Sequence, residues 1–349
     1  MTRAARDPIK GFERGLTRLL ETGRSHKAYP QASAWVAHDG HFVGQASIGG
    51  ASERTRFDVA SLTKPMAVVT LAMRGVSQGW LDLETPIAAD LPSTLTPYTL
   101  LGHRAGLPAW RDLVAALPAP RHPGSAEARY AVRALVRQAA READPSRGVE
   151  YSDLGFILLG QSIEELTGIS LDRHVTVGSY RGTRPARGGD FASTGACPWR
   201  ERELVGEVHD PNAWVMGGVA GHAGLFATAG EVGRWALGLE RLAAEDHPFE
   251  AIDAGVLRAF WDPGQRTGSG TWVVGWDTPS PAGSSAGTRV SELAVGHLGF
   301  TGTSIWIDRA TRLVIVLLTN RVALGAAAQA RLKAFRPGFH DSVRQLLSI

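Results

Sequence analysis

An α/β (α+β) fold is predicted for this chain by where its strand and helix patterns fall. Short β-branched or apolar runs gather at the two ends, and helical periodicity fills the middle. One antiparallel sheet is therefore expected from the N- and C-terminal segments, flanked by helices, with a helical subdomain inserted between them. The length of 349 residues, with 44% hydrophobic and 20% charged, suits one large core. A single domain over 1–349 follows, with an α/β part at about 1–80 and 215–349 and a helical and loop insertion at about 81–214. The cleft between the two parts is the natural place for a ligand.

In chain order, Phe12, Leu16, Leu19 and Leu20 recur at helical spacing and predict an amphipathic first helix ending near Gly23. Residues 32–37 and 41–48 read as a hairpin turned by Asp39-Gly40. Residues 60–78 read as one helix, with Leu62, Met66, Val69, Met73 and Val76 on its buried stripe. The insertion holds helical patterns at 126–143 and 154–166. Residues 177–202 form a loose stretch rich in glycine, arginine and proline, in which Phe191 and Trp199 supply something to bury. A helix follows from about Ala229. Strand patterns then occur at 271–276, 294–297, 303–307 and 313–319, and the chain closes on a helix with Phe339, Val343, Leu346 and Leu347 on one side.

Composition narrows the function. The formal charge is +3 and no lysine or arginine run tracks phosphates, which argues against nucleic acid as a partner. A lone cysteine, Cys197, rules out an internal disulfide and reads as a small buried apolar residue. With no stretch near the ~18 apolar residues of a membrane span and no apolar leader, a cytoplasmic protein without membrane contact is expected. His209, Asp210 and His222 match no metal-ligand spacing, so no metal or other cofactor is expected.

The chemistry centres on Phe57-Asp58-Val59-Ala60-Ser61-Leu62-Thr63-Lys64-Pro65-Met66. Ser61 and Lys64, three apart at a helix start, share a face about 5–6 Å apart at Cβ, so the amine can reach the hydroxyl. The reading is a nucleophile and its base, with the lysine pKa lowered by burial and by the helix N-terminus. Basic residues here are nearly always arginine, and lysine occurs only at 10, 27, 64 and 333. A lysine kept among arginines suggests a need for an amine that can lose its proton. Two further elements fit: Tyr151-Ser152-Asp153 at a helix start, where the Tyr151 hydroxyl can relay a proton, and Gly296-His297-Leu298-Gly299-Phe300 at a strand end, where the Phe300 N–H can complete an oxyanion hole with that of Ser61.

In this order the three elements resemble the motifs of the serine β-lactamase and penicillin-binding-protein superfamily, in its class C-like branch. Ser61-Leu62-Thr63-Lys64 is similar to Ser-x-x-Lys, Tyr151-Ser152-Asp153 to Tyr-x-Asn, and His297-Leu298-Gly299 to Lys-Thr-Gly or His-x-Gly. Residues 101–108 and 219–228 are similar to two further family markers. The resemblance implies a β-lactamase/transpeptidase-like fold and a serine hydrolase that is acylated on Ser61. Lys64 and Tyr151 would carry protons, and Asp153, His297, Gly299 and Phe300 would line the substrate cleft. It implies no cofactor and a small ester, peptide or amide as partner.

Two departures bear on substrate. Asp153 stands where the family has asparagine; an ionised carboxylate only accepts hydrogen bonds and is free to pair with Lys64. His297 replaces the lysine that holds a β-lactam carboxylate. Both favour esters, D-amino-acid peptides or muropeptide amides over β-lactams, with weak β-lactamase or acyltransferase activity as alternatives. A sensor or scaffold that does not turn over is the reading from another class. Residues 197–200 and 208–213 are similar to a narrower group that includes amidases of muramic-acid fragments.

Overall fold

A computed structural model describes residues 8–117, 122–186, 188–268 and 270–349. Residues 118–121 and the first seven residues lie outside that set.

Helix α1 (Pro8–Ser25) precedes a hairpin of β1 (Ala32–His38) and β2 (His41–Ile48). Asp39 and Gly40 both take positive φ, 50° and 73°, the primed-turn geometry that matches strand twist. After α2 (Thr70–Gln78) come α3 (Ala126–Arg141), α4 (Asp153–Thr167) and the short α5 (Pro211–Val215). Then come α6 (Ala229–Glu245), β3 (Ala294–Leu298), β4 (Ser304–Asp308), β5 (Leu313–Thr319) and α7 (Ala327–Leu346).

The main sheet is antiparallel in the order β2-β1-β5-β4-β3. Joining the ends of the chain, β1 pairs with β5 from Ala32↔Thr319 to His38↔Leu313. Every residue of β5 is buried because both sheet faces are covered. On one face Ala34, Val36, Ile315 and Leu317 pack with Leu16 and Leu20 of α1 and Phe339 and Val343 of α7. On the other, Trp35, Val314 and Val316 join Trp235 and Leu239 of α6, and Val132, Phe156 and Ile157 of α3 and α4, in the larger core. Burying a leucine or valine here is worth about 1.5–3 kcal/mol.

Six expectations fail locally. The stretch expected as one helix is three: a 3-10 turn (Ala60–Leu62), a π-helix (Lys64–Val69), then α2. Pro65 lacks an N–H, and its carbonyl is taken by both the backbone N–H and the hydroxyl of Thr70, five residues on. No strand forms at 271–276, where one bridge pairs Trp272 with Asp277. The stretch 177–202 is more regular than expected, containing Ser193–Cys197 paired with Arg202–Val205. Trp199 is not buried but half exposed, and Cys197 is only part-buried; Leu346 is exposed on α7.

Candidate active site

Ser61 sits on an elbow. Ala60 before it has φ +48°, a costly conformation for a residue with a Cβ, and the surroundings hold it there. Asp58 is fully buried and accepts from the Ala60 N–H (2.9 Å) and the His209 N–H (2.7 Å). The turn between β3 and β4 is stitched to the same elbow. Thr301 Oγ1 donates to the Asp58 carbonyl (2.7 Å) and Thr303 Oγ1 to the Val59 carbonyl (2.9 Å). At Gly299 a Cβ would lie 2.5 Å from the Val59 carbonyl oxygen, so glycine lets this strand end close on the nucleophile. The next residue, exposed Phe300, packs against the ring of His209 at 5.6 Å.

Beneath Ser61 the Lys64 amine is sealed from solvent and reaches three side chains. It lies 3.0 Å from Ser61 Oγ, 2.6 Å from the Tyr151 hydroxyl and 2.5 Å from Asp153 Oδ1, with the His222 carbonyl at 3.4 Å. Tyr151 and Asp153 arrive together because Ser152 caps α4, its Oγ accepting from the Gly155 N–H (3.2 Å). The turn thus serves both as a helix cap and as a carrier of the site. The structure brings Ser61, Lys64, Tyr151 and Asp153 into one cluster, with His297 beside it at 6.1 Å between the rings of His297 and Tyr151.

The electrostatics correct one expectation. Burial disfavours the charged amine of Lys64, but the Asp153 carboxylate and the Tyr151 oxygen outweigh it, and the pKa lies above the ordinary lysine value rather than below. At rest the cluster is an ammonium-carboxylate pair beside a neutral phenol, since burial raises Tyr151 against the pull of Lys64. His297 is neutral, pushed down to about 3 by burial and by Lys64. Its Nδ1 bonds the Leu298 carbonyl (2.9 Å), which leaves Nε2 a buried lone pair without a partner among the described residues.

Two positioning residues escaped the sequence reading. His103, at φ +55°, accepts at Nδ1 from the Ser152 N–H (3.0 Å) and packs 4.6 Å from the Tyr151 ring. Burial first, then Lys64 and His297, keep it neutral. Its place in the 101–108 marker was the available signal. Asp58, three residues before Ser61, gave none, because a carboxylate serving backbone N–H groups has no side-chain spacing to detect.

Among the described residues, Asp153, Asp210 and His222 each bring a ligand atom to within 4.8 Å of the others, a grouping that a cation could suit. Those atoms are already engaged. Lys64 takes Asp153, while Asp210 Oδ1 accepts from the Ala213 N–H (2.7 Å) and pairs with His222 Nε2 (2.9 Å). Lys64 thus supplies the positive charge that a metal would bring. Cavities of about 690 Å³ elsewhere, one lined by Leu71, Arg74 and Glu250, include none of these residues.

The family model described as beta-lactamase matches residues 16–335. The chain belongs to the beta-lactamase family. Among relatives of this beta-lactamase-family protein, an N-acetylmuramyl-L-alanine amidase of Bacillus subtilis is 29% identical, over 84% of this chain and 77% of its own. A putative D-alanyl-D-alanine carboxypeptidase of Escherichia coli is 27% identical, over 90% and 82%. A class C beta-lactamase from Rhodobacter sphaeroides shares the fold at TM-score 0.67 and 17% identity, covering 96% of this chain and 99% of that one. The β-lactamase fold and a serine-hydrolase family assignment are thereby established. Among the described residues no helix is long and apolar enough to cross a membrane.

Proposed function

We propose that this beta-lactamase-family protein hydrolyses an amide of the N-acetylmuramyl-L-alanine type through an acyl-enzyme on Ser61. The observation that carries the reading is the buried contact set of Lys64 with Ser61, Tyr151 and Asp153. In the resting pair the ammonium passes a proton to Asp153 across 2.5 Å, and the freed amine accepts the Ser61 proton as Oγ attacks the carbonyl carbon. As the C–N bond breaks, the Tyr151 hydroxyl protonates the departing nitrogen and is reprotonated by Lys64. Asp153 then returns its proton to Lys64, and the books balance. Water enters where the amine left, and the same groups run in reverse to release the acid.

The substrate follows from charge. Neutral His297 offers no cation where the family's lysine holds a carboxylate, which disfavours β-lactams and peptides ending in a free D-alanine carboxylate. A muramyl lactyl amide has no carboxylate beside the scissile bond, and a relative carries that activity in its name. The test is incubation with an N-acetylmuramyl-L-alanyl peptide, read by mass spectrometry of products and intact protein, for wild type and Ser61→Ala. Release of peptide and N-acetylmuramic acid by the wild type alone is expected. Labelling of both proteins, or of neither, by a fluorophosphonate would remove Ser61 from its role. Labelling confined to the wild type without muramyl cleavage would move the search to esters and D-amino-acid peptides.

A further inference from the structure

On the far face of the sheet, the packing of α7 against β4 shows a pattern that the hydrolytic site does not explain. Residues 304, 306 and 308 alternate onto one face of β4, and Asp308 fixes which, since its Oδ2 pairs with Arg344 Nη2 of α7 at 2.7 Å. Arg336, His340 and Arg344, four apart, are all buried on α7. Both rows carry buried polar atoms without a partner among the described residues: Ser304 Oγ and Trp306 Nε1 on β4, and Arg336 Nε, both ring nitrogens of His340 and Arg344 Nε on α7.

The charge is also unbalanced. Arg336 Nη2 reaches the Gly302 carbonyl (3.4 Å) and Arg321 Nη2 the Phe300 carbonyl, so both guanidinium groups grip one turn. Both arginines are buried, and neither forms an ion pair among the described residues. The nearby acid, Asp308, is spent on Arg344, Ser291 and the Ala310 N–H. Burial and then Arg321 lower Arg336 only to about 10, so it stays charged at neutral pH. His340 is neutral, at about 3, through burial and then Arg336 and Arg344, and offers one N–H.

Guanidinium and indole groups donate and cannot accept. A water molecule would satisfy some of these donors, but it would leave two buried cations without a countercharge, an arrangement that proteins avoid.

We propose that the β4–α7 interface is a binding site for a small monovalent inorganic anion of chloride size, held by Arg336 and His340 with Arg321 supplying the second charge. The anion would fasten α7 to the Phe300–Gly302 turn, the same turn that Thr301 and Thr303 tie to the nucleophile elbow.

Two measurements on the full chain test this. Crystals soaked in sodium bromide are expected to give an anomalous peak between Arg336 and His340. In thermal melts at matched ionic strength, exchanging gluconate for chloride should raise the Tm of the wild type, and the rise should vanish in Arg336→Met. An absent bromide peak, or chloride responses equal in wild type and variant, overturns the proposal and leaves water as the filler. Should Arg336→Met fail to fold, Arg321→Met takes its place in the melts, and the bromide experiment on the wild type stands by itself.

Discussion

Lys64 and Arg200 are both cations closed off from solvent beside a carboxylate, and their other neighbours differ in kind. Those of Lys64 are a serine, a tyrosine and an aspartate, each able to give or take a proton. Those of Arg200 are Glu207 at 3.3 Å, the carbonyls of Val208 (2.6 Å) and His209 (3.2 Å), and the rings of Trp199 and Trp214. Arginine does not deprotonate in proteins, so no proton can be passed through this group. The first arrangement is built to move protons; the second braces the loop that carries His209 to the site. Burial by itself says nothing of function, whereas the proton-exchanging capacity of the partners does.

The largest effect that can break this contrast comes from Lys64→Arg, which keeps charge and removes the exchangeable amine. Turnover and fluorophosphonate labelling should fall by about 10²–10⁴-fold, with the circular dichroism of a folded protein. Substantial activity in that variant would show that charge alone suffices. Next, Glu207→Gln breaks a pair in which both side chains are buried, at a cost of about 3–5 kcal/mol in urea melts. Its kcat per folded molecule should stay within a few-fold of wild type, and a large drop in kcat at unchanged stability would make the brace catalytic.

Asp153→Asn sharpens the comparison through pH. Without the carboxylate, burial governs Lys64 and its pKa falls. Activity of the variant should be reduced about tenfold at neutral pH and should climb with pH as the amine loses its proton. The wild type should be flat there. In the wild type the raised Lys64 pKa means that the pair's contribution to stability is complete below the ordinary lysine pKa and is lost as pH rises through the higher folded value. Alkaline melts check the sign.

Asp58 gives the smallest effect. Burial raises its pKa to about 6, so the fold favours the protonated form, and that contribution disappears as pH climbs from the ordinary carboxylate range through 6. Asp58→Asn should remove this pH dependence, worth roughly 1–3 kcal/mol, while setting an amide donor against one of two N–H groups at a cost of about 1–3 kcal/mol. Melts at pH 4 and 7 should therefore differ less in the variant than in the wild type.

The sheet was legible in the sequence because its strands are apolar and β-branched and its hairpin carries Asp39-Gly40. So were the cluster members Ser61, Lys64 and Tyr151, since each sits at a helix start or turn that spacing reveals, and the pairing of Asp153 with Lys64 followed from charge. The protonation of that pair was not legible. It depends on Asp153 approaching from 89 residues away, to 2.5 Å, and a reading of the Ser61 segment by itself saw only burial and the helix N-terminus. The failed strand at 271–276 has a similar cause. Trp272 packs beside the rings of His103, Tyr151 and His297, and this site packing takes precedence over local strand propensity.

The π-helical segment at Lys64–Val69 sets a rotational phase. An α-helix turns ~100° per residue, so converting the π segment to α would swing Ser61 and Lys64 around the axis while Leu71, Ala72 and Met73 of α2 stayed locked in the core. The wide turn works as an angular offset between the half of the helix that packs and the half that reacts.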